Sequence, residues 1–118
     1  ALIGSASRIH GATVAAGRIE AKDVGSLRGM ADLFREKVRS GDAVLSSPQK
    51  GKMHYVVTVT DDLIERGVTA EGLVAELGAL TGGGGGGKKH LAQLGTKDHE
   101  SEAAVFAALP GILERLMS

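Results

Sequence analysis

Six consecutive glycines, Gly82 to Gly87, restrict this chain more than any other feature, and Lys88, Lys89 and His90 follow them directly. Glycine has no Cβ atom, so its backbone can approach a second surface closely. The amide N–H groups of such a run are unshielded and can attract anions. The two lysines and the histidine add positive or proton-dependent charge to the same segment. The run is interpreted either as a phosphate-binding surface or as a slack, soluble connector, and no Walker-type spacing follows it.

The charge balance limits what the chain can bind. Its 118 residues correspond to one domain, and 14 Lys and Arg balance 14 Asp and Glu, so the formal net charge is zero. A protein dedicated to nucleic acid is usually basic, so any such contact here must come from a local patch. The chain has no cysteine, which excludes disulfides and thiolate metal sites. No apolar run approaches the roughly 18 residues that a membrane helix needs, so no membrane partner is expected. The start lacks signal-peptide features and is not Met, and we expect residues 1–118 to be one domain excised from a longer protein.

Hydrophobic spacing predicts the order strand, helix, strand, strand, helix, strand, helix. Residues 12–20 are predicted as a strand, Asp23 as the N-cap of the first helix, and the segment Ser40-Gly41-Asp42 as its end. A short strand over 43–46 and a turn over 48–51 come next. The run 52–60 is dense in β-branched residues, so it is predicted to be the centre of the sheet.

The second half of the chain continues this alternation. Asp61 is expected to cap a one-turn helix over 62–65, and Thr69 opens a longer helix that runs into the glycines. Residues 91–95 are predicted as a short strand at an edge, and a final helix begins near Ser101, with Pro110 as a kink or a new start. The expected class is α/β, with α+β as the alternative. A small mixed sheet is covered by three main helices, and the glycine-rich loop lies between a helix and a short strand.

No arrangement of side chains indicates catalysis. The four histidines, His10, His54, His90 and His99, lack the spacing of a metal-binding pair. The adjacent acids Asp61 and Asp62 suit a helix N-terminus better than acid/base or magnesium chemistry. The chain has only three aromatic side chains, too few for a platform on which RNA bases stack. Contacts to RNA would therefore run through shape and backbone.

Four segments together indicate a family. They are Leu27-Arg28 with residues 31–37, the strand and acids over 55–63, the segment over 67–74, and the glycines followed by Leu91-Ala92-Gln93-Leu94-Gly95. This succession resembles the C-terminal globular domain of alanyl-tRNA synthetases, which belongs to the DHH-associated class. The resemblance extends from about residue 9 to the end of the chain.

The resemblance implies a domain without an active site that binds the outer corner of tRNA, where the D and T loops meet, and helps to couple aminoacylation with editing. The implied partners are tRNA(Ala) and the remaining domains of a cytoplasmic synthetase, and a homodimer is a further option. The domain itself is expected to need no cofactor. ATP, Mg and Zn are expected only in the rest of the parent enzyme, an ATP-dependent alanine-tRNA ligase.

The candidate RNA-binding residues follow from the glycine segment and the preceding hairpin. They are Gly84, Gly85, Gly86, Gly87, Lys88, Lys89, His90, Gln93, Lys50 and Lys52. The family pattern after the glycines is Arg-Pro-Asp-Met-Ala-Gln-Ala-Gly-Gly. Lys88 keeps the charge of that arginine but loses its planar fork, and Lys89 replaces a rigid proline. The loop is therefore expected to be more mobile and more basic than the pattern.

Two other functions remain open. Several DHH phosphoesterases end in a domain of the same class, in which a glycine-rich loop followed by histidine binds the substrate, so the chain could instead bind short nucleotides for such a hydrolase. A dimerisation module with an inert loop is the third interpretation. A preference for folded tRNA over a dinucleotide distinguishes the tRNA-binding function from the hydrolase and dimerisation functions.

Overall fold

Strands and helices alternate along nearly the whole chain. The structure, a computed structural model, describes residues 7–9, 12–18, 23–49, 52–97 and 101–117. Within these ranges the elements are β1 (Ser7–Ile9), β2 (Ala12–Arg18), α1 (Val24–Lys37), β3 (Gly41–Gln49), β4 (Lys52–Val59), α2 (Asp61–Glu65), α3 (Ala70–Thr81), β5 (Gly84–Gly87), β6 (Leu91–Thr96) and α4 (Ser101–Met117). None of the described helices is long and apolar enough to cross a membrane.

The strands form one mixed sheet in the order β1-β2-β3-β4-β6-β5. Strands β2 and β3 are parallel and connected through α1, whereas all other neighbours are antiparallel. The β-branched strand β4 lies between β3 and β6, as its composition predicts. The predicted class, α/β with a small mixed sheet, is confirmed.

Helices pack on both faces of the sheet. On one face, Leu27, Ala31 and Phe34 of α1 pack against β2, β3 and β4. On the other face, α2, α3 and α4 form the larger core around Tyr55, whose side chain is fully buried. This three-layer arrangement buries alternate residues of β4 against different helices, which explains why every residue from Tyr55 to Val59 is buried.

Local capping follows the sequence closely at two helices. The Asp23 carboxylate accepts a hydrogen bond from Ser26 N at 2.8 Å, so the predicted N-cap of α1 is confirmed. Thr69 caps α3 in the same way, through Gly72 N at 3.0 Å. Helix α2 begins directly at Asp61, so the expected cap at that residue is wrong. Its side chain instead binds Arg35 Nη2 at 2.7 Å.

Strand β3 is longer than expected. Gly41 and Asp42, predicted to end the first helix, already pair with β2, and the strand continues through Pro48 to Gln49. The predicted turn over 48–51 is therefore too long at its start, and its residues Lys50 and Gly51 lie outside the described residues. An added Cβ atom at Gly41 would meet the carbonyl oxygen of Thr13, so the close approach of β2 and β3 at this position requires glycine.

The glycine run departs most from expectation. Its residues Gly84 to Gly87 pair with Ala92 to Gly95 as a regular antiparallel strand, so β5 is the edge of the sheet and β6 is interior. The interpretation as a slack connector is wrong for these four residues. They are held in register because β6 offers a paired strand beside them and α3 packs against them.

Candidate functional site

The sheet has an uncovered area beside α1, which we call the open face: His54 of β4, Gln93 and Gly95 of β6, and Gly84 and Gly86 of β5. Val56 lies two residues after His54 in β4 and packs under α1. Because side chains alternate along a strand, His54 lies on that same side of the sheet. Gly95 pairs with both His54 and Gly84, and Gln93 pairs with Gly86. All five residues therefore share the face of the sheet on which α1 packs, beyond the area that α1 covers.

The open face forms a depression of about 510 Å³. Three of the five residues of the open face are glycines, and the space above two of them is open, because an added Cβ atom at Gly84 or Gly86 would meet nothing within 4 Å. The His54 ring forms one wall and lies close to Gly95, where an added Cβ atom would be 3.8 Å from Nδ1 and Cε1. A flat group can thus approach the backbone of β5 and β6 directly.

The outer edge of β5 presents backbone donors. Lys88 N donates to Leu91 O at 2.8 Å, which identifies Lys88 and Leu91 as a hydrogen-bonded pair next to the strand. Because such pairs alternate in antiparallel strands, Gly84 and Gly86 bond to β6, whereas the N–H groups of Gly85 and Gly87 point away from the sheet. These outward amides carry the partial positive charge that the sequence predicts for the glycines.

The turn after β5 is tied to two other elements. Ala70 N, at the start of α3, donates to Lys89 O at 2.7 Å. His90 O accepts from Val59 N and from the Thr58 hydroxyl, both at 3.1 Å. These bonds connect the turn to α3 and β4, an arrangement that opposes the mobility expected from the loss of the family's proline.

The candidate residues are divided along the open face. Gln93 and the glycines form its floor, and Lys88, Lys89 and His90 follow at one end. Lys52 is exposed at the start of β4, six residues before Thr58, so about 20 Å of strand separates it from the turn. Lys50 lies outside the described residues. The structure thus brings together the glycines, Gln93 and the turn, whereas Lys52 lies at the far end.

Two further residues with charged or titratable side chains line this region and were not among the candidates. His54 forms a wall of the depression, and Arg28 of α1 lies beside Lys88 and His90 at its border. In the sequence, Arg28 belongs to one of the segments that carry the family resemblance, and that resemblance assigns it no binding role. For His54 the sequence did contain a signal, because strand alternation places it on the same face of the sheet as Val56. The approach of Arg28 to the turn depends on sheet order, and no local pattern contains it.

The acidic pair has structural partners. Asp61 binds Arg35, and Asp62 accepts a hydrogen bond of 2.6 Å from the Thr60 hydroxyl. Within the described part of the chain, no group of three or more His, Asp or Glu side chains could hold a metal ion. The arrangement at the open face is therefore suited to binding a flat or anionic group through backbone and cations.

Comparisons with known proteins identify the same region as part of a shared domain. Residues 11–115 match the DHHA1 domain. Over 90 residues the chain is 48% identical to alanine-tRNA ligase of Pelotomaculum thermopropionicum, which covers 76% of this chain and 10% of the relative. It is 37% identical to the corresponding enzyme of Chloroflexus aurantiacus over 95% of this chain and 12% of the relative. The chain thus spans about a tenth of the length of these relatives.

Solved structures agree with the sequence relatives. The C-Ala domain of Aquifex aeolicus alanyl-tRNA synthetase superimposes with a TM-score of 0.84 and 26% identity, over 93% of this chain and 98% of that domain. A DHH-domain member of the s1p family of ribosomal proteins matches with a TM-score of 0.68 and 16% identity, over 29% of its own chain. The second likeness concerns the fold alone.

Proposed function

The chain belongs to the DHHA1 domain family, and we propose that it binds the outer corner of tRNA as the C-terminal domain of an alanyl-tRNA synthetase, where it helps to couple aminoacylation with editing. One observation carries this proposal: the fold superimposes on nearly the whole C-Ala domain of a synthetase, 98% of its length. The likeness is therefore to a complete domain of that enzyme.

The open face provides a physical basis for such binding. RNA is recognised mainly by shape and by contacts to its sugar-phosphate backbone. The glycines of the floor let that backbone approach the sheet, and the outward amides of Gly85 and Gly87 can donate to phosphate oxygens. Lys88, Lys89 and His90 supply local charge on a chain whose formal net charge is zero. Affinity of the separate domain is then modest, and the parent enzyme gains effective concentration from its other contacts.

The remaining assignments belong to the same proposal. The parent protein is an ATP-dependent alanine-tRNA ligase of the cytoplasm that acts on tRNA(Ala), and ATP, Mg and Zn are bound by its other domains. The domain itself contributes no catalytic group and no cofactor. Its partners are tRNA(Ala) and those other domains, with a homodimer as a further option.

A substrate-binding domain of a DHH phosphoesterase is the alternative. The structural likeness to a DHH-domain protein is at 16% identity and supports only a common fold. The two sequence relatives described above are both alanine-tRNA ligases. The synthetase function is therefore preferred, and a dinucleotide serves as the probe for the alternative.

We predict that the domain binds folded tRNA(Ala) more tightly than an unfolded RNA of equal length, and that a dinucleotide binds weakest. Titrations at low and moderate salt measure this order. Changing Lys88 and Lys89 together to Ala should weaken tRNA binding and reduce the slope of log K against log salt by about 1 to 2, because about 0.7 to 0.9 counterions are released per phosphate contact.

The pair Lys37→Ala and Arg66→Ala is the matched control, since both residues are exposed cations that line neither the depression nor the turn. Tight binding of the dinucleotide alone would support the hydrolase function instead. No binding of any probe would leave a scaffold domain and refute the proposal.

A further inference from the structure

A second, smaller pocket adjoins the open face between α1 and the turn. It measures about 180 Å³, and its charged or titratable lining residues are Arg28, Lys88 and His90, from two separate elements. Gly86 and Gln93 line both this pocket and the larger depression, so the two are neighbours. The small pocket thus combines cations with the glycine backbone.

No described carboxylate lines this pocket. Asp32 lies one helical turn beyond Arg28, but it is not among the lining residues. The described ion pairs join other residues, Arg35 with Asp61 and Arg115 with Glu76. Another depression, near Arg35, differs in its charge, because Asp61 and Asp62 line it and offset its arginines. Of these two pockets, only the small one presents positive charge, from Arg28 and Lys88, that no described lining carboxylate offsets.

The backbone positions of these cations are set by packing. Arg28 follows Leu27 of α1, whose side chain is fully buried against the sheet, so the helix is fixed at this point. The turn that carries Lys88 and His90 is held by the bonds of Lys89 O and His90 O to α3 and β4. Little backbone ordering is therefore needed when an anion enters.

We propose that this pocket binds a single phosphate group of the RNA backbone, with Arg28 as its principal contact. The guanidinium presents donors in a planar fork that matches two phosphate oxygens, whereas Lys88 acts as a point charge. The proposal rests on the proposed function and deepens it, because it assigns an RNA contact to α1, outside the glycine segment. A free phosphate has the same chemistry, so the test separates the two sources.

Binding of folded tRNA(Ala) by variants tests the proposal. Arg28→Ala should weaken binding about 10-fold and reduce the salt slope by about 1, and Arg28→Lys should restore only part of the affinity. Lys88→Ala should weaken binding more than Lys89→Ala, because Lys89 does not line the pocket. Lys37→Ala, the loss of an exposed cation at the other end of α1, is the control for net charge.

A second arm uses the wild-type chain and inorganic phosphate at constant ionic strength. Saturable NMR shifts are expected at Gly86, Gly87 and Lys88 and at Arg28 Nε–H, and the shifts of the three backbone amides should vanish in Arg28→Ala. If tRNA binds but Arg28→Ala behaves like Lys37→Ala, the pocket proposal is overturned and the tRNA-binding function stands. If phosphate shifts these signals but tRNA does not bind, the phosphate site stands and the RNA function fails. If neither probe binds, both fail.

Discussion

Replacing Asp42 by Asn is expected to raise the free energy of unfolding by about 3 kcal/mol more at pH 7.5 than at pH 4.5. Asp42 is fully buried in β3 between Val14 and Val59, and neither of its carboxylate oxygens has a hydrogen-bond partner in the described structure. Burial raises the pKa of this carboxyl to about 7. The folded chain therefore holds a proton that the unfolded chain releases near pH 4.

The direction of the effect follows from this difference. Well below pH 4 both states are protonated, and the neutral acid is tolerated in the core. As the pH rises toward 7, only the unfolded state ionises, so wild-type stability falls. Because Asn cannot ionise, the Asp42→Asn variant does not lose stability in this way as the pH rises. Comparing the variant at two pH values cancels the cost of burying its amide, which is the same at both.

Other carboxylates act in the opposite direction in the wild-type profile. Burial raises the pKa of Asp62, but hydrogen bonds from Ser40 and Thr60 outweigh it and leave the pKa lowered. Stability from Asp62 is thus present at neutral pH and lost on acidification. Both proteins contain Asp62, so the difference between them isolates Asp42.

Urea unfolding of both proteins at pH 4.5, 6.0 and 7.5 measures the prediction. Asp32→Asn, which removes an exposed carboxylate from α1, controls for the change in net charge. A stability difference that does not vary between these pH values would mean that Asp42 is solvated or paired in the folded chain.

Local sequence patterns were sufficient to predict the helices and the central strand. Asp23 and the spacing of Leu27, Ala31 and Phe34 define α1, because capping and a buried helical face are both local properties. The β-branched run of β4 similarly identifies an interior strand. These elements require no knowledge of their partners.

Strand β5 could not be predicted in this way. Glycine has a low intrinsic tendency to form strands, so a run of glycines indicates a loop. Here the pairing with β6 and the packing of α3 override that tendency. The site shares this dependence, because His54 meets Gly95, 41 positions later, only through the β4–β6 register. The sequence therefore predicts a binding chemistry for the glycine segment, whereas the positions of Arg28 and His54 beside that segment depend on the sheet order.

Adjacent glycines of β5 should respond in opposite ways to the same substitution. An added Cβ atom at Gly85 would meet Gln93 O and would lie 2.8 Å from Leu94 Cα, both in the backbone of β6. Backbone atoms cannot move aside, so Gly85→Ala is expected to cost about 2 to 3 kcal/mol of unfolding free energy. Gly86→Ala adds its methyl group to open space and should change stability by less than about 0.5 kcal/mol.

The same two variants connect the strand to function. Gly86 lines both pockets, so its added methyl group obstructs the floor of the open face, and tRNA binding should weaken several-fold while the fold is intact. Thermal unfolding and tRNA titration of each variant measure the two effects. Gly111→Ala is the control, since that glycine lies in α4 on the opposite side of the sheet and also has room for a methyl group.

Equal stability of Gly85→Ala and Gly86→Ala would refute the close pairing of β5 with β6. Unchanged tRNA binding by Gly86→Ala would place the RNA contact away from Gly86, the residue that the depression and the small pocket share.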